Sequence, residues 1–235
     1  MFHGDKVQRA ADRPFQLSIW AKYDFEDAPD GGGALIAPNW ALTAAHVVLT
    51  QTDVTLYPKV KIGGGSVYWK ESMDSNFQSV EFETKNNVFV RKITQTWNEL
   101  PWSGDGKILL VTQLFLLGLI TFFRYFVIRT IFVLADIALI RFPHGKQLDT
   151  SKGKFVETIK MNFETARADL NGEEATISGW GETESVHIPE QLSKVKIIIG
   201  ATTKTGADPI RILQLCQEGG VSVGPGDSGG KILEY

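Results

Sequence analysis

Gly224-Pro225-Gly226-Asp227-Ser228-Gly229-Gly230 sets one serine beside an acid and among glycines. A reactive serine needs that company. Glycine lets the backbone bend sharply and come close to a bound molecule, and adjacent N–H groups can converge on a developing oxyanion. Standing alone, such a run reads as a surface turn. Its weight depends on whether the rest of the chain supplies a base and a group to orient it.

The chain has four histidines: His3, His46, His144 and His187. His3, His144 and His187 lie in polar or turn-like stretches and read as solvated residues. His46 closes Trp40-Ala41-Leu42-Thr43-Ala44-Ala45-His46, an apolar strand running into small residues. Asp136 lies in Leu134-Ala135-Asp136-Ile137-Ala138-Leu139-Ile140, where a carboxylate is costly unless it is paired. Asp53, Asp105 and Asp149 lie in polar stretches and read as turn or surface residues.

Several stretches, in this order, resemble the trypsin/chymotrypsin serine proteases. They are Gly32-Gly33-Ala34-Leu35-Ile36 through Ala44-Ala45-His46, Asp136-Ile137-Ala138-Leu139-Ile140, Ser178-Gly179-Trp180-Gly181 and Gly226-Asp227-Ser228-Gly229-Gly230. Pro14-Phe15-Gln16-Leu17-Ser18 is similar to that family's first barrel strand. The resemblance implies an all-β fold of two six-stranded antiparallel β-barrels of the chymotrypsin type. The first would span residues 2–150 and the second 151–235.

By the same resemblance, Ser228 is the nucleophile, His46 the base and then acid, and Asp136 the group that holds the imidazole tautomer. The N–H groups of Gly226 and Ser228 would form the oxyanion hole, and Ser222 would lie at the base of the substrate pocket. Asp227 would be the acid that pairs with a freed amino terminus. The implied activity is a serine endopeptidase working through an acyl-enzyme, on protein or peptide substrates and subject to protein inhibitors. Chain order supports this choice. Gly226 to Gly230 also fits the nucleophile elbow of α/β-hydrolases, but that fold needs its histidine after the serine, and none follows Ser228.

Composition fits a β-rich chain of 235 residues, with 43% hydrophobic residues and 23 glycines for turns. Short β-branched or aromatic runs predict strands at Phe15–Trp20, Val54–Val60, Val88–Ile93, Ile137–Phe142, Thr176–Ser178 and Val195–Ile199. The triple glycines at 31–33 and 63–65 read as turns. No Gly-Lys-Ser/Thr follows them, which removes a phosphate loop. A net charge of −3 with scattered lysines and arginines gives no footprint for nucleic acid. No pair of residues has metal-ligand spacing, so neither metal nor cofactor is expected.

The chain also departs from the family's pattern. Its single cysteine, Cys216, excludes an internal disulfide. Gly31 and Val47 stand where the resemblance implies the histidine-loop pair. No signal peptide opens the sequence, and the resemblance implies pocket strands and a terminal helix beyond Tyr235, so the second barrel is expected to be incomplete. A secreted location is implied by the resemblance alone.

Residues 107–134 form an intensely apolar insertion, expected to be helical. Its core from Ile108 to Leu134 exceeds the roughly 20 residues needed to cross a bilayer. A crossing there would separate His46 from Asp136, which argues against a membrane span. Two alternatives stay open: a non-catalytic relative used as a binding module, and a single-span membrane protein with vestigial protease motifs.

Overall fold

The computed structural model describes residues 4–21, 25, 28–50, 55–90, 136–161, 172–187, 189–204, 211–216 and 227–228. The insertion at 107–134, Ser222, Gly226 and the predicted strand ends at Val54 and 91–93 lie outside the described residues. The chain is mostly β. Its strands are β1 (Asp5–Lys6), β2 (Gln16–Trp20), β3 (Gly31–Ala37), β4 (Trp40–Thr43), β5 (Lys59–Gly64), β6 (Gln78–Glu83), β7 (Val88–Val90), β8 (Ala138–Arg141), β9 (Glu174–Gly179), β10 (Ser193–Lys204) and β11 (Arg211–Cys216), with a short helix α1 (Ala45–Val48). Among the described residues, no helix is long and apolar enough to cross a membrane.

Seven strands pair antiparallel in the order β6-β5-β2-β3-β4-β8-β7. The two ends of that order, β6 and β7, are joined by only Thr84 to Asn87. There the Thr84 carbonyl accepts the N–H groups of Asn87 and Val88, each at 2.9 Å, and Asn86 takes a left-handed φ of 66°. Asparagine tolerates that region better than most residues. One bent segment therefore pairs at both ends of the order, and the sheet curls. Counted by chain segment, its seven strands are six. Inside the curl, Leu17, Ile19, Leu35, Ala41, Val60, Ile62 and Ile140 are fully buried. Each large aliphatic side chain among them contributes roughly 1.5–3 kcal/mol by leaving water. The alternation in β8, with Ala138 and Ile140 inward and Leu139 and Arg141 outward, follows the strand period of two.

The glycine runs correct the sequence reading. Gly31-Gly32-Gly33 opens β3 and Gly63-Gly64 closes β5, so they are strand residues and not turns. The reason is space. A Cβ at Gly33 would lie 2.7 Å from Ile19 Cδ1, and one at Gly63 would overlap the Phe77 ring and lie 2.7 Å from Ser18 Oγ. Gly65, with φ of +83°, is where the chain leaves the sheet.

In the second sheet β10 is central. β1 and β9 pair along its first residues, and β11 pairs from Ile198 onward with a register shift between Ile199 and Thr202. The two sheets meet across a second core of Val7, Trp20, Val67, Trp69, Phe77, Trp180 and Leu192. Its polar atoms are satisfied across the junction. Trp180 Nε1 donates to the Val67 carbonyl at 3.0 Å, and Trp69 Nε1 donates to the Pro189 carbonyl at 3.0 Å. The buried Ser178 hydroxyl donates to Gln16 Oε1 at 2.7 Å, joining β9 to β2.

Candidate active site

Strand register brings His46 and Asp136 together. In the antiparallel β4–β8 ladder Thr43 faces Ala138. Past this last pair, one segment runs into α1 at Ala45 and the other carries Asp136, two residues before β8. His46 then meets the carboxylate twice. Its backbone N–H donates to Asp136 Oδ1 at 2.8 Å, and its ring Nδ1 stands 2.6 Å from Oδ2. Facing a carboxylate, Nδ1 carries the proton, and Nε2 is left as the acceptor of the neutral ring.

Burial pushes the Asp136 carboxyl up, but the side-chain and backbone hydrogen bonds from His46, its charge, and a further backbone bond from Ala45 outweigh it. They hold the group below the ordinary carboxylate value. The imidazole is about half exposed, at 47%, so one side of this pair is open to solvent.

Ser228 is tied to the same region through β3. The Gly32 N–H donates to the Ser228 carbonyl at 2.7 Å, and the Gly32 carbonyl accepts the buried Thr43 hydroxyl at 2.7 Å. Thr43 lies three residues before His46 on the same chain segment. Sequence reasoning did not single out Gly32 or Thr43. A threonine in a strand reads as an ordinary β-former, and no local signal marks its hydroxyl as a link.

Asp227 is buried, at 7% exposure, and its Oδ1 accepts the Gly181 N–H at 2.8 Å. A Cβ on Gly179 or on Gly181 would overlap its carboxylate. The glycines of Ser178-Gly179-Trp180-Gly181 therefore make room for this acid. Met1 to His3 lie outside the described residues, as do Gly226 and Ser222.

The rival residues stand elsewhere. His144 and His187 are exposed, the latter beside Glu182, and Asp149 accepts the Ser151 N–H at 2.9 Å in an exposed turn. Among the described residues no group of three or more His, Cys, Asp or Glu could hold a metal ion.

A curled antiparallel sheet packed against a smaller second sheet, with a His–Asp pair at one end of the first, defines a chymotrypsin-like fold. Solved structures agree. Neuropsin, a serine protease expressed in the limbic system of mouse brain, matches with a TM-score of 0.60 at 17% identity, over 99% of this chain and 82% of that one. A mutant of human heparin binding protein (CAP37) matches with a TM-score of 0.62 at 14% identity, over 99% and 80%. The Trypsin family profile matches residues 121–233. A calcium-dependent serine proteinase of Mesocricetus auratus is 26% identical over 192 residues, which are 81% of this chain and 22% of that protein. These matches all point to the trypsin/chymotrypsin-like serine proteases as what this chain resembles.

Proposed function

We propose that the chain is a serine endopeptidase in which Ser228, His46 and Asp136 act as a triad. Ser228 Oγ attacks the carbonyl of a peptide bond while His46 Nε2 takes its proton. His46 then returns that proton to the leaving amine, and water releases the acyl group by the reverse sequence. Asp136 holds the tautomer and stabilises the imidazolium. The N–H groups of Gly226 and Ser228 receive the oxyanion, and Ser222 lines the pocket for the side chain before the cleaved bond. Protein or peptide substrates, protein inhibitors and an extracellular location are part of this proposal, as is a division into barrels at residues 2–150 and 151–235.

The observation that carries it is the double hydrogen bond from His46 to Asp136, which suits a ring poised to accept a proton at Nε2. The test is labelling by a fluorophosphonate, which phosphonylates an activated serine with loss of fluoride. Labelling of the wild-type chain, abolished in Ser228→Ala and in His46→Ala, supports the reading. A folded wild-type chain that takes no label refutes it and returns the fold to a binding role.

A further inference from the structure

Gly31, the first residue of β3, is pinned from two directions. A Cβ placed on it would lie 2.6 Å from the Ser228 carbonyl oxygen, and 2.6 and 3.2 Å from the two Val47 methyls. Val47 is buried and is the residue after His46. The next residue, Gly32, holds the Ser228 carbonyl by its N–H. The segment carrying the histidine and the segment carrying the serine thus close on the same bare Cα from different sides. With one cysteine in the chain, no covalent bridge takes up this position; the isopropyl group of Val47 fills it.

We infer that Gly31 is a positioning residue: its missing side chain, wedged between Val47 and the Ser228 carbonyl, sets how closely the nucleophile's loop approaches the helix bearing His46. This rests on the triad proposed above. The two contacts differ in what can yield. Val47 methyls can turn or be removed. The Ser228 carbonyl is backbone, and opening its 2.6 Å contact to the 3.0 Å that real Cβ atoms require moves the residue that carries Oγ. Displacements well under 1 Å are costly where two reacting groups must align.

The experiment compares wild type, Val47→Ala, Gly31→Ala and the double variant Gly31→Ala/Val47→Ala. Thermal midpoint, rate of fluorophosphonate labelling and hydrogen exchange at the residue 32 amide are measured on each. In the double variant the new methyl enters the space that Val47 vacates, so its midpoint exceeds the sum of the single effects. Its labelling rate nonetheless stays about tenfold or more below that of Val47→Ala, and its residue 32 amide exchanges faster because the bond to Ser228 is stretched.

A role in stability alone predicts that labelling recovers with the midpoint, and that result overturns the inference. A wild-type chain that takes no label refutes the triad. The positioning claim is still decided there by the Gly32 amide: protection in the wild type with faster exchange in the double variant upholds the clasp, and equal exchange overturns it. Should Gly31→Ala fail to fold, an unprotected Gly32 amide in the wild type also overturns it.

Discussion

Asp136→Asn separates the orientation of His46 from its mere proximity. The substitution keeps the side chain's size and one acceptor. An amide oxygen still takes the His46 backbone N–H, now 2.8 Å from Oδ1, so the residue stays in place. Its NH2 then faces Nδ1 where Oδ2 stood at 2.6 Å. A donor there makes Nδ1 the acceptor and moves the ring proton to Nε2. Such a ring has no lone pair for a serine hydroxyl. Labelling of Ser228 should slow by about four orders of magnitude, the size of effect a wrong tautomer has in Ser-His-Asp hydrolysis.

Stability responds in a second, separable way. Replacing a charge-assisted bond by a neutral one costs about 1 kcal/mol. Because the folded carboxyl lies below its ordinary value, the stabilisation is present above the unfolded value of about 3.9 and is lost as pH falls through the depressed folded one. Denaturation midpoints taken from neutral to acid pH should therefore show a declining limb in the wild type that is weaker in Asp136→Asn. A folded variant that labels at the wild-type rate would show that the pair has no part in activating the serine.

Substitutions at two other positions probe the scaffold. Ser18 is 1% exposed, and its hydroxyl finds no partner among the described residues; Ser18→Ala should stabilise the chain by about 1 kcal/mol and raise the melting temperature by roughly 2–4 °C, and a fall in calorimetry would contradict this. Asp227→Ala strips the Gly181 N–H of its buried acceptor and should cost about 2 kcal/mol, whereas Asp227→Asn keeps an oxygen at that position and should cost less; equal denaturant midpoints for the two would mean that the bond to Gly181 is not what anchors this acid.

What the sequence made legible was chemistry that breaks a local rule. A carboxylate inside an apolar strand demanded a partner, and Asp136 has His46. The apolar run at 137–142 holds β8, and Gln16–Trp20 formed almost where its residue types place it. What stayed hidden depends on neighbours far along the chain. Gly31 and Gly63 carry the composition of a turn, yet they lie in strands because Val47, the Ser228 carbonyl and Phe77 occupy the space a side chain would need. Thr43 and Gly32 link the His46 segment to the Ser228 backbone through hydrogen bonds that no spacing announces. Ending the predicted strand at Val60, short of Gly64, followed from the same misreading, since the last residues of β5 are glycines.

Val90 and Ala138 face each other in the β7–β8 ladder. The two strand ends on either side of residues 91–135 therefore lie side by side. With the strand ends already held together, the entropic cost of closing a longer connection grows only logarithmically with its length. Paired ends of this kind give a natural graft point, since added length there need not part the strands that hold it.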